Sequence, residues 1–109
     1  MYKRQVLADV LLESVRATDF VARFGGEEFV VLLPDVVDAA QGQVVAEKVR
    51  AAVASTLFPS VGAATVSVGL SCWAASDRDA HDVFARADKA LYEAKMQGRN
   101  RVMALMQAV

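Results

Sequence analysis

The tightest constraint on this chain is the adjacent pair Gly25–Gly26 in "RFGGEEFVVLL", residues 23–33. It separates two apolar runs, "DFVARF" (19–24) and "EFVVLL" (28–33). Primed two-residue turns need positive φ at their central positions, which glycine adopts without a steric penalty, so the pattern predicts a β-hairpin. The returning strand is apolar on both faces, and such a strand is expected inside a sheet covered on both sides. Pro34–Asp35 ends it.

The remaining elements follow from periodicity. Val6, Leu7, Val10, Leu11 and Val15 form one stripe of a helix that should stop near Arg16–Thr18. Asp38 and Gln41 have the spacing of a capping box. They open a second helix with Val45, Val49, Ala52, Val53 and Leu57 on its buried face, closed before Pro59. "ATVSVGLSCW" (64–73) alternates as a strand, with Val66, Val68, Leu70 and Cys72 on one face and Gly69 marking a bulge or a close backbone approach. Asp79 starts a third helix whose apolar face carries Val83, Phe84, Ala87, Leu91 and Ala94, with Gly98 as its C′ residue. "RVMALM" (101–106) reads as a final strand. Helix, hairpin, helix, strand, helix, strand predicts an α/β domain: a mixed sheet with flanking helices.

Composition narrows the function classes. The 109 residues suit one small domain, and 55% hydrophobic content supports a packed core. Twelve Lys+Arg against thirteen Asp+Glu leave a net charge of −1, which argues against a nucleic-acid polymer as partner. Cys72 is the only cysteine, which fits a reducing compartment. No apolar run nears the roughly 18 residues of a membrane span. Asp9 and Glu13 break the apolar part of the N-terminus, making it a poor signal peptide. The expectation is a cytoplasmic domain without direct membrane insertion.

Two charged features suggest chemistry. Glu27 and Glu28 follow the glycine turn, where carboxylates are either a solvated hairpin tip or hard oxygen ligands for Mg²⁺, which takes one or two carboxylates plus substrate phosphates. In "AKMQGRNR", Lys95 lies in the last helical turn, with Arg99 and Arg101 just beyond Gly98. Such cations can simply complement the helix dipole, by about 0.3–1 kcal/mol each. Taken with the acidic hairpin tip, they also suit a triphosphate.

"RFGGEEFVVLLP", "TVSVGLS" and "ADKALYEAKMQGRNRV", in this order, resemble the signature segments of the GGDEF domain, the catalytic domain of diguanylate cyclases. The resemblance implies a palm-like fold of the nucleotide-cyclase type. It also implies condensation of two GTP molecules into cyclic di-GMP and pyrophosphate with Mg²⁺ or Mn²⁺, in a homodimer of facing domains. By matched position, Gly25 and Gly26 would lie near the GTP phosphates. Glu27 and Glu28 would be the catalytic, metal-binding acids, with Glu27 a candidate for activating the 3′-hydroxyl. Lys95 and Arg99 would contact phosphate. "RATD", Arg16 to Asp19, resembles the RxxD inhibitory site for cyclic di-GMP. There Arg would take guanine O6 and N7, Asp would accept from N1 and N2, and Lys48, or alternatively Arg50, would assist. The competing reading of that pair is a surface ion pair worth under about 1 kcal/mol.

The resemblance covers only the C-terminal two-thirds of the family's pattern. The first, central strand with its metal-binding Asp, and the guanine-reading Asn and Asp after it, have no counterpart in the sequence. Unpaired neighbouring strands would then favour association with another chain. The expectation is a cyclase domain inactive as this fragment alone. The alternative is a non-catalytic cyclic di-GMP-binding or dimerisation module. His81, Trp73 and Phe84 are expected to serve as surface, rim or core residues.

Overall fold

A computed structural model describes residues 2–23, 28–34, 36, 38–58 and 62–105. Its elements are α1 (Tyr2–Ser14), β1 (Phe20–Arg23), β2 (Phe29–Leu32), α2 (Ala39–Ala54), β3 (Leu57–Phe58), β4 (Gly62–Ala63), β5 (Val68–Leu70), α3 (Ala80–Met96) and β6 (Val102–Ala104). The Gly25–Gly26 turn and Glu27 lie outside the described residues, but the strands they join pair as expected. β1 and β2 are antiparallel, with Phe20 opposite Leu32 and Arg23 opposite Phe29. β5 and β6 are parallel, with Val68 opposite Val102. Parallel neighbours need a crossover, and α3 is that crossover.

The helix ends follow the cap residues. Asp38 accepts from the Gln41 amide at 2.9 Å, and Asp79 from the His81 amide at 2.9 Å. At the far end of α3, Gly98 takes φ 121° and the Arg99 amide donates to the Ala94 carbonyl at 3.0 Å. That is the six-to-one bond of a Schellman cap, as the Gly98 position predicts.

Leu7, Leu11, Val49, Val53 and Phe58 form the core between α1, α2 and β3. Leu57 was expected on the buried face of α2 and is instead 80% exposed on β3, while its neighbour Phe58 is 1% exposed. The helix has already ended. Ser55 and Thr56 turn their hydroxyls back onto the Ala52 carbonyl, and a residue before proline is pushed out of helical backbone. Strand alternation then sends Phe58 inward and Leu57 outward.

Two further expectations need correction. The strand read over 64–73 is regular only at Val68–Leu70, the length that pairs with β6. β2 is not covered on both faces: Phe29, Val30 and Val31 are half-buried and Leu32 is 60% exposed. Among the described residues β2 pairs with β1 alone, and β5 with β6 alone. The apolar sequence of β2 is that of a central strand, and among the described residues one of its flanks has no strand partner.

Gly69 is a close approach. A Cβ there would lie 2.8 Å from the Leu91 Cα and would also meet the Ala87 carbonyl, so α3 seats directly on the backbone of β5. The adjacent Leu70 points the other way, toward Gly42 of α2. α2 and α3 therefore cover opposite faces of β5.

Candidate functional site

Between β2 and β5 lies a cleft of about 580 Å³. Glu28, Lys95 and Arg99 all line it, so the hairpin end and the C-terminus of α3 share one cavity. Each is exposed, and none has a side-chain hydrogen bond or ion pair with another described residue. Glu28 immediately precedes β2, while Lys95 occupies the last turn of α3. Arg99 follows the Schellman cap with φ 63°, and Asn100 with φ 47°. Left-handed backbone at a non-glycine residue is costly and persists only where neighbours enforce it. The enforcing bonds are the Arg99 amide to Ala94, Arg101 Nε to the Arg99 carbonyl at 3.1 Å, and Arg50 Nη1 to Asn100 Oδ1 at 2.8 Å.

That last bond was not foreseen. It ties α2 to the loop carrying Arg99 across fifty positions of sequence. Asn tolerates αL backbone, which is the only local signal the sequence held. Glu47 holds the rest of the Arg50 guanidinium; the pairing draws the Glu47 carboxyl below its ordinary range and raises Arg50.

"RATD" forms a closed turn. The Asp19 amide donates to the Arg16 carbonyl at 2.9 Å, and Asp19 Oδ2 accepts from the Arg16 amide at 2.8 Å. The same oxygen lies 3.5 Å from Arg16 Nε. The Arg16 side chain is 54% exposed and that of Asp19 1%. The second Asp19 oxygen is buried without a hydrogen-bond partner. Asp19 therefore faces inward and holds the turn. Lys48 is exposed on α2, and no hydrogen bond or ion pair among the described residues joins it to this turn. Arg50, the alternative, is committed to Glu47 and Asn100.

A second anchor ties α3 to the segment that follows β5. Arg86 grips Asp77 with two 2.7 Å bonds and donates to the Cys72 carbonyl at 2.7 Å. Asp77 also accepts from the Ala74 amide at 2.8 Å. These bonds, with the Arg86 guanidinium foremost, hold the Asp77 carboxyl down at about 2. His81 is exposed and Trp73 is 61% exposed, both surface positions; Phe84 lines the cleft.

Among the described residues no group of three or more His, Cys, Asp or Glu could cage a metal. Among the described residues lining the cleft, the carboxylates are those of Glu28 and Asp88. A Mg²⁺ site of one or two carboxylates completed by phosphate oxygens fits that set, whereas a closed protein cage does not. No helix among the described residues is long and apolar enough to cross a membrane.

A hairpin and a parallel β–α–β unit with helices on both faces make this a mixed α/β domain of the palm-like class. The family model for "Diguanylate cyclase, GGDEF domain" matches residues 5–101. The chain is 42% identical over 101 residues to the diguanylate cyclase DgcP of Pseudomonas aeruginosa, covering 90% of this chain and 15% of that protein. The structure of the active GGEEF domain of a diguanylate cyclase from Vibrio cholerae superimposes with a TM-score of 0.86 at 30% identity, over 95% of this chain and 67% of that one. The coiled coil and GGDEF domain of DgcB from Caulobacter crescentus, solved with cyclic di-GMP, gives 0.83 at 32% identity, over 94% and 56%. The chain belongs to the GGDEF family, and it spans only part of these relatives.

Proposed function

We propose that this chain is the phosphate- and metal-side portion of a diguanylate cyclase, condensing two GTP into cyclic di-GMP with loss of pyrophosphate. The observation that carries the reading is that Glu28, Lys95 and Arg99 line one cleft in a GGDEF-family fold. Lys95 and Arg99 bind the β- and γ-phosphates and offset the charge that develops on leaving pyrophosphate. Glu27 and Glu28 would hold Mg²⁺ or Mn²⁺, which supplies Lewis-acid polarisation of the phosphoryl oxygen. Gly25 and Gly26 let the triphosphate approach the backbone. Glu27 takes the proton of the 3′-hydroxyl as its oxygen attacks the α-phosphorus and the bond to pyrophosphate breaks. Each domain presents one GTP, so turnover needs a facing homodimer.

A second reading rests on the exposed guanidinium of Arg16. A cyclic di-GMP site there uses Arg16 for guanine O6 and N7 and Asp19 for N1 and N2, with Lys48 adding charge.

The test is GTP with Mg²⁺ added to the isotope-labelled chain, with amide shifts and cyclic di-GMP by mass as readouts. Shifts confined to the surroundings of Glu28, Lys95 and Arg99, weakened at least about tenfold by Lys95→Ala, are expected, without turnover by the chain alone. Shifts elsewhere, or none, overturn the assignment. Turnover abolished by Glu27→Ala would keep the cyclase reading and remove the need for further chain. Cyclic di-GMP binding lost in Arg16→Ala tests the second reading.

A further inference from the structure

The Arg99 side chain reaches the cleft from an uncommon stretch of backbone. Gly98, Arg99 and Asn100 have φ of 121°, 63° and 47°, three positive values in succession. L-residues visit this region singly rather than in runs, so a run persists only where its surroundings hold it. The Arg99 amide, donating to the Ala94 carbonyl, anchors the start of the run. The Arg101 carbonyl, accepting from the Val68 amide at 2.9 Å, anchors its end on β5. Between these anchors Asn100 Oδ1 accepts from Arg50 Nη1 of α2 at 2.8 Å.

Glu47 aims that donor. Its carboxylate accepts from Arg50 Nε at 2.9 and 3.0 Å and also from Nη2, which leaves Nη1 for Asn100. A guanidinium is planar, so fixing one edge fixes the direction of the remaining nitrogen. Glu47 and Arg50 lie one turn apart on α2, so the clamp is built on a helix rather than on a second loop. The Arg50 side chain is only 21% exposed, which limits competition from water.

Neither Arg50 nor Asn100 lines the cleft, whereas Arg99 does. With no side-chain partner among the described residues, the Arg99 guanidinium takes its direction from its own backbone. A long side chain held at its root has less freedom left to lose when it meets an anion, so holding the root contributes affinity by preorganisation.

Given the reading of Lys95 and Arg99 as phosphate contacts, on which it rests, we propose that Arg50, aimed by Glu47, is a positioning residue of the phosphate site: through Asn100 it holds the backbone from which Arg99 reaches the phosphates.

The test titrates the isotope-labelled chain with inorganic pyrophosphate. It follows the Arg99 Nε signal and the Asn100 backbone coupling that reports φ. The variants are Arg50→Ala, Asn100→Gly and the two combined. Asn100→Gly removes the acceptor, keeps the net charge and still permits positive φ. Each single variant should weaken pyrophosphate about threefold to tenfold, the cost of ordering one long side chain, and the double variant should be no weaker than either. In Arg50→Ala the Asn100 coupling should leave its left-handed value while the amides of α3 and β5 stay in place. Unchanged affinity in either single variant overturns the proposal. So do additive losses in the double variant. Losses that come with shifts throughout α3 and β5 overturn it too, since they would make the clamp a general structural tie. Pyrophosphate that leaves Arg99 Nε of the unaltered chain unmoved sinks the phosphate reading and the proposal with it. An Arg99 shift that Lys95→Ala weakens but Arg50→Ala does not keeps that reading and removes only the clamp.

Discussion

Gly69→Ala tests the contact on which the placement of α3 depends. The added Cβ would lie 2.8 Å from the Leu91 Cα, against the 3.4 Å at which ordinary contact begins. The Ala87 carbonyl and the Leu91 amide are closer still, and all three are backbone atoms that no rotamer change can move. α3 must therefore withdraw by at least about 0.6 Å, a gap that forfeits a quarter to a half of each dispersion contact along the seam. Overpacking of this kind costs about 1–3 kcal/mol, offset by about 0.4–1 kcal/mol because alanine restricts the unfolded chain. The expected net loss is about 1–2 kcal/mol, or a fall in Tm of roughly 5–10 °C by circular dichroism. Gly42→Ala is the matched control. Its Cβ meets only the flexible end of Leu70, at 3.4 Å, and glycine inside α2 is unfavourable, so stability should rise by about 0.5–1 kcal/mol. A Gly69→Ala variant with unchanged or raised Tm would refute the seating of α3 on the β5 backbone.

Phe58→Ala should cost about 3–5 kcal/mol in urea unfolding, whereas Leu57→Ala stays within about 0.5 kcal/mol; the reverse order would return Leu57 to the core. The Asp77 carboxyl is held at about 2 from an ordinary 3.8, so its contribution is present above pH 3.8 and is lost as pH falls toward 2. Asp77→Asn should therefore lower Tm at neutral pH and flatten the Tm profile across that window. An unchanged acid limb would dismiss the Arg86 pairing as a source of stability. Asp79→Ala removes the cap of α3 and should cost about 1 kcal/mol, read as a shift in the urea midpoint without a change in slope.

The sequence by itself determined the order of the elements, the hairpin around Gly25–Gly26, the caps at Asp38, Asp79 and Gly98, and the family. These are local events: a side chain meeting an amide three residues away, or a glycine adopting positive φ, depends on nothing distant in the chain. The close approach at Gly69 was legible as a gap in an alternating run, although not which helix filled it. Only the tertiary structure decided that Phe58 rather than Leu57 enters the core, because that choice turns on where α2 ends and on what β3 packs against. The clamp from Arg50 to Asn100 likewise joins residues that no periodicity relates. The inward turn of Asp19 was equally hidden, since "RATD" reads the same whether its carboxylate faces solvent or its own backbone. The grouping of Glu28, Lys95 and Arg99 on one cleft was expected from resemblance, and the packing of α3 on β5 is what brings the third helix to the hairpin. The edges of β2 and β5 that have no strand partner among the described residues belong to the fold as well. An apolar run carries the demand to be buried, while its neighbours in space decide whether that demand is met.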